Sequence, residues 1–157
     1  MSSTHRRKRS ERGQALLEFA LLAPLVIFFL LALVDFGIAV NRRVVLDHAA
    51  REGARFASVG GHALSNGGTP ATEAEIISYT MAQGQDIPQS VSVCYVNANG
   101  NGVTGDVGDS VKVTVNYTYD FVTGFTSIID SDLGSIEMNP SAEARVERAI
   151  QNPQACA

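Results

Sequence analysis

The stretch from Phe19 to Val40 restricts this chain more than any other. From Phe19 to Val34 there is no charged or polar side chain. Asp35 interrupts once, and Phe36 to Val40 resumes the apolar run. As a helix rising 1.5 Å per residue, these residues reach about 33 Å, enough to cross a hydrocarbon core of roughly 30 Å. Pro24 lies inside the run, where it removes one backbone hydrogen bond and is expected to kink or loosen the helix. Three uses fit such a stretch: a secretory signal removed after Ala39, a plain membrane anchor, and a processed helix that works in the membrane. A secretory apolar core usually has about 7–15 residues, fewer than are present here, although Gly37-Ile38-Ala39 offers a small-x-small site.

Charge orients the span. Arg6, Arg7, Lys8, Arg9 and Arg12 face only Glu11 in the first dozen residues. From Ala57 onward eleven acids stand against three cations, Lys112, Arg145 and Arg148. The positive-inside tendency places the N-terminus in the cytoplasm and the acidic part outside, on a single span through the bilayer. Arg42 and Arg43 pull the other way, from a sparser cluster. A basic run this short beside a span is a topology signal, and no nucleic-acid partner is expected. Residues 1–12 are polar and basic and are expected to lack fixed structure. Of the 157 residues, roughly 100 remain for one small outer domain. Its two cysteines, Cys94 and Cys156, are an even count outside the cytoplasm and are disulfide candidates.

Glu18 is the sharp exception at the start of the span. A carboxylate there costs a few kcal/mol unless it reaches headgroups or meets a cation. It stands five residues after Gly13, within Gly13-Gln14-Ala15-Leu16-Leu17-Glu18-Phe19. This run resembles the processing site of type IV-like prepilins: basic residues, a glycine, a glutamate fifth in the mature chain, an aromatic, and a long apolar helix. The longer sequence RGQALLEFALLAPL, followed by VDFGIAVNRRVVLDHAAREGARFA, resembles the TadE family of pseudopilins from tight-adherence, or Flp-type, pilus systems. The likeness covers about a third of the chain, and several elements recur in order.

That resemblance implies roles for particular residues. A prepilin peptidase would cut after Gly13, and Gln14 would become the mature N-terminus. Glu18, with Phe19 beside it, would position the subunit in an assembly, against the free amine of a neighbour. An ammonium and a carboxylate offset each other's burial cost in low dielectric. Partners implied are other pilin-like subunits and the tight-adherence membrane machinery. Major Flp-type pilins are very short, so an added domain of this size points to a minor pseudopilin or assembly factor. An uncleaved single-span envelope protein, using its outer domain to bind a ligand or partner, is the alternative.

Beyond the span the helix should continue. Val45, Leu46, Ala49, Ala50, Gly53, Phe56 and Ala57 make one apolar face, with Arg43, Asp47, Arg51 and Arg55 elsewhere. Asp47 and Arg51 are an i,i+4 pair in the favourable order. Gly60-Gly61 ends the helix. Thr72-Glu73-Ala74-Glu75 has a capping-box pattern and predicts a helix of about ten residues, to Gln83.

From Ser90 the period changes to two. Val91, Val93 and Tyr95 mark one strand. Val111, Val113, Val115, Tyr117 and Tyr119 mark a second. Between them Asn97 to Asp109 reads as a flexible hairpin tip. Its Asn97-x-Asn99-x-Asn101-Gly102 imitates the start of a calcium loop, but Gly108 replaces the glutamate such a loop needs. Phe121 to Leu133 is an apolar-rich connection, with Phe125, Ile128 and Ile129, read as cover for the sheet. Ile136, Met138, Ala142, Ala144 and Val146 mark a third strand, with Pro140 at an edge or bulge.

The fold expected is α+β and pilin-like. Residues 1–13 are a basic leader, and 14–60 form a long helix, transmembrane over about 17–40 and amphipathic over 41–58. Residues 61–157 form an extracytoplasmic domain with a small antiparallel sheet of three or four strands and one short extra helix. No nucleophile elbow, phosphate loop or zinc motif occurs. His48 and Glu52 are i,i+4 but are only two ligands. No enzyme activity, cofactor or metal is expected.

Overall fold

The computed structural model describes residues 5–61, 68–85, 87, 89–123, 134–150 and 152–156, with side chains from Gly13 onward. It has the α+β, pilin-like architecture: one long N-terminal helix, one short helix and a four-stranded antiparallel sheet. The chain forms two compact units, one of residues 1–38 with 121–134 and the other of 39–120 with 135–157.

Helix α1 spans His5–Ser58, 54 residues, and runs unbroken through Pro24. It begins earlier than the sequence suggested. The basic residues before Gly13, expected to lack fixed structure, are helical from His5. Arginine, lysine and glutamate are good helix formers, and the apolar turns that follow supply the nucleus, so extending the helix backward costs little. At the other end Gly60, at φ +75°, closes the helix. The Gly61 N–H donates to the Phe56 carbonyl at 2.7 Å and the Gly60 N–H to Ala57 at 3.1 Å. This pair of bonds is a Schellman cap, which needs a left-handed residue at that point.

In the second unit, α1 buries Leu46, Ala49, Ala50, Gly53, Ala54 and Ala57, while Val45 and Phe56 are half-buried. The Asp47–Arg51 pair forms at 2.7 Å on the solvent side, where such pairs contribute only a few tenths of a kcal/mol. Helix α2 (Glu73–Gln83) carries the expected capping box. The Thr72 N–H donates to the Glu75 carboxylate at 2.8 Å, and the Glu75 N–H donates to Thr72 Oγ1 at 3.3 Å.

The strands are β1 (Ser90–Val96), β2 (Ser110–Asp120), β3 (Ser135–Met138) and β4 (Ser141–Arg145). β2 is central and antiparallel to all the others. β3 and β4 share one register on β2: Tyr117 faces Met138 and Thr114 faces Ser141, so no residue is inserted between them. Pro140 therefore lies at the sheet's edge, between β3 and β4, without a bulge. The Val115 N–H donates to the Pro140 carbonyl at 3.0 Å, but proline has no N–H to return, and the ladder breaks there.

One face of this sheet forms the core. Val93, Tyr95, Val111, Val113 and Val146 cluster with Ala54 and Ala57 of α1, Ala71, and Ile76 of α2. Burying each of the larger side chains stabilises by about 1.5–3 kcal/mol. The Tyr95 hydroxyl has no hydrogen-bond partner among the described residues. Burial, with a smaller push from the Glu73 carboxylate, raises its pKa to about 12.

The β1–β2 loop is organised around Asp109, which is fully buried. One carboxylate oxygen accepts the N–H groups of Ala98 and Asn99, and the other those of Gly105 and Asp106, at 2.8–3.3 Å. Asn97, Asn99 and Asn101 each accept a backbone N–H two or three residues ahead. The asparagines that imitated a calcium loop thus carry the loop's own turns.

Helices α1 and α2 meet at Gly53 and Thr80. A Cβ at Gly53 would overlap Thr80 Oγ1 and sit 3.1 Å from Thr80 Cβ. Thr80 is buried, and its hydroxyl donates to the Ile76 carbonyl at 2.7 Å. Gly53→Ala gains about 1 kcal/mol of helix propensity, yet overpacking here costs more, so we expect a net loss of roughly 1–2 kcal/mol. Thr80→Ala in the same chain should recover most of it. Chemical denaturation of the four chains of this double-mutant cycle checks the coupling, and simple additivity would refute the contact.

Candidate functional site

The first unit presents the apolar run with little cover. Leu16, Phe19, Leu21 and Phe29 are 64–79% exposed, and the exposed positions go all round the helix. A helix apolar on every side is not stable facing water and needs lipid or other helices. Residues 13–58 of α1 are long and apolar enough to cross a membrane, and none of the most apolar window is buried.

The Gly13-to-Phe19 element lies within α1, with Gly13, Gln14, Glu18 and Phe19 all exposed. A Cβ at Gly13 would meet nothing within 4 Å. Gln14 and Glu18 are i,i+4, so an amine created at Gln14 would lie one turn below the Glu18 carboxylate on the same side of the helix. Charge, small size and apolar bulk are thus arrayed along one accessible helix start.

Asp35 is a functional candidate that reading the sequence registered only as an interruption. It is wholly buried, although its neighbours Val34 and Phe36 are 55% and 67% exposed. Its carboxylate accepts the Val122 N–H at 3.1 Å and the Thr123 N–H at 3.3 Å, and Thr123 Oγ1 donates to it as well. These donors stand 87 and 88 residues away in sequence. The one available signal was a lone acid among some twenty apolar residues, which has to find donors somewhere. Of the connection expected to cover the sheet, Val122 is 69% exposed. Phe125, Ile128, Ile129 and Leu133 lie outside the described residues.

Cys94 and Cys156 are joined by a disulfide with Cα atoms 4.8 Å apart. The bond holds the C-terminal tail along the free edge of β1. The Tyr95 N–H donates to the Gln154 carbonyl at 2.8 Å, and the Cys156 N–H to the Tyr95 carbonyl at 3.0 Å.

An open groove of about 570 Å³ lies in the second unit, where β2 passes from β1 to β3. Gln89, Ser90, Asn116, Tyr117, Thr118, Glu137 and Asn139 line it. Its lining offers amide, hydroxyl and phenol groups and one carboxylate, Glu137, all capable of hydrogen bonding. His48 is exposed, while Glu52 pairs with Arg55 at 3.1 Å. Among the described residues no three metal-ligating side chains come together.

Compared with known proteins, residues 13–55 match the sequence model of the family described as TadE-like protein. The matched segment runs from the candidate processing glycine to the last turns of α1. No curated protein and no solved structure matches the chain.

Proposed function

Residues 13–55 being a TadE-like segment, we propose that this chain is a minor pseudopilin, a non-enzymatic component of tight-adherence pilus assembly or secretion. The observation that carries the reading is the accessible, apolar helix start bearing Gly13 and Glu18 inside the matched segment. The helix crosses the cytoplasmic membrane once, with the basic residues inside and the disulfide-bonded domain outside. A prepilin peptidase removes residues 1–13. Gly13 suits that cut because it lacks a side chain and loosens the helix locally, letting the backbone open into a protease site. The new Gln14 ammonium and the Glu18 carboxylate then neutralise one another, within a chain or between neighbours, as helices pack in the membrane. The domain of residues 61–157 travels with the helix and sets which surface the subunit shows outside.

Intact mass and N-terminal sequencing of protein from native membranes test this. The expected chain begins at Gln14, and Gly13→Leu should leave residues 1–13 attached. Glu18→Ala should still be cut but enter the pilin-like assembly at least about tenfold less, since an ammonium packed among subunits without its carboxylate costs more than about 1.4 kcal/mol. A wild-type chain that keeps residues 1–13 would favour an uncleaved envelope protein using its outer domain for binding. A chain beginning at Val40 would remove the membrane helix from the mechanism altogether.

A further inference from the structure

The Asp35 cluster carries information about the bilayer. A carboxylate inside an apolar span is costly unless donors satisfy it, and here the donors are the backbone of the segment that leaves β2. That segment is a turn: Val122 and Thr123 are neither helix nor strand, and the Phe121 N–H reaches the Gly134 carbonyl at 3.2 Å. Irregular backbone facing lipid is not tolerated in the hydrocarbon layer, because its polar groups find no water there. The turn and Asp35 thus belong at the level where water and headgroups begin. Phe36 and Val122, exposed apolar side chains beside this cluster, have the character of residues that sit in the boundary between headgroups and acyl chains.

We propose that Asp35, Val122 and Thr123, with Phe36, form a contact with the outer-leaflet surface of the lipid bilayer that fixes how deep α1 sits. The proposal rests on the single-span reading above. It puts the outer boundary of the span at Asp35 rather than at Val40. Counting inward about 30 Å at 1.5 Å per residue gives about 20 residues, so the inner boundary falls at Ala15. The Gly13–Gln14 bond then lies at the cytoplasmic surface, within reach of an aqueous hydrolytic step. Glu18 lies about one turn inside the hydrocarbon edge, where a carboxylate needs a cation. A boundary at Val40 would instead place the inner edge near Ala20 and leave Glu18 among headgroups, with little need of a partner.

The test uses the full-length chain in nanodiscs of phosphatidylcholine and phosphatidylglycerol at one copy per disc. Cysteines are introduced singly as Leu25→Cys, Leu33→Cys, Phe36→Cys, Val40→Cys, Val103→Cys and Val122→Cys. Cys94 and Cys156 are bonded to each other and stay silent. Reaction with a water-soluble maleimide is timed, and spin labels at the same sites give depth from oxygen and nickel-chelate accessibility. The expected result is slow labelling at Leu25 and Leu33, at least tenfold faster labelling at Val40 and Val103, and intermediate labelling at Phe36 and Val122 at matching depths. Asp35→Leu should draw the helix outward-side residues in, so that Val40 becomes protected while Val122 labels as fast as Val103. Val40 as protected as Leu33 in the unsubstituted background, or Val122 as reactive as Val103, would overturn the proposal without touching the span. Rapid labelling of Leu25 would remove the span itself, and the proposal with it. Protection of Val122 found only at several copies per disc would mean that a second chain, not lipid, covers it, and would also overturn it.

Discussion

Full-length protein with Cys94→Ser should lose about 4 kcal/mol of stability in the second unit, a fall of roughly 15 °C or more in its thermal midpoint. The link joins residues 62 apart, and a loop of that length strongly restricts the denatured chain in the entropy model. The folded side contributes as well. With the bond cut, the tail from Asn152 to Cys156 is tied to β1 chiefly by the bridge between Tyr95 and Ala155 and its two hydrogen bonds. Such a short, single-bridge edge strand frays readily. The β1 edge it covers would then be open to pairing with other chains, so the variant should also aggregate sooner on heating. Melts in detergent, with and without reductant, check this. Reductant should destabilise the wild-type chain by a similar amount and leave Cys94→Ser unchanged. A loss below about 1 kcal/mol would show that the denatured chain is hardly restrained by the link.

Asp109→Ala should cost about 3–4 kcal/mol, a large effect for one loop residue, because four backbone N–H groups lose a shared charged acceptor. The Gly105 N–H is in a buried position, so losing its acceptor there is costly. The expected readout is a lowered denaturation midpoint together with fast hydrogen exchange at Ala98, Asn99, Gly105 and Asp106. Asp109→Asn keeps one acceptor oxygen but replaces the other with a donor, and should recover less than half of the loss. Unchanged exchange at those four amides in Asp109→Ala would mean that the backbone turns hold the loop unaided. The loop matters beyond itself. The Val146 N–H donates to the Asp109 carbonyl at 2.7 Å and the Gly108 N–H to the Val146 carbonyl at 2.8 Å, which joins the loop to the end of the edge strand and hence to the core.

The sequence by itself determined what local chemistry and periodicity can encode. Twenty-two nearly all-apolar residues specify a long membrane-length helix whatever surrounds them. The capping box at Thr72 and Glu75 specifies where α2 begins, and strict alternation from Val111 to Tyr119 specifies a half-buried strand. The ordered set of Gly13, Glu18 and the residues to Phe56 was enough to point to the TadE-like family that residues 13–55 match. The start of α1 was misplaced because a basic run reads as unstructured alone, whereas a helix already nucleated by its neighbour extends into it at little cost.

The tertiary structure decided everything that depends on two distant residues meeting. Asp35 reads only as a flaw in the span until Val122 and Thr123 arrive to donate to it. Asp109 reads as one polar residue of a loop until four N–H groups converge on it. Pro140 left a choice between edge and bulge until the shared register of β3 and β4 on β2 settled it as an edge. Gly53 reads as one more small residue on the apolar face until Thr80 fills the space a side chain would need. The reason is physical. Periodicity, caps and apolar runs act within a few residues along the chain, so composition and spacing record them. A buried carboxylate or a missing Cβ takes its free energy from whichever group the fold brings within about 3–4 Å, and only the closed chain specifies that neighbour.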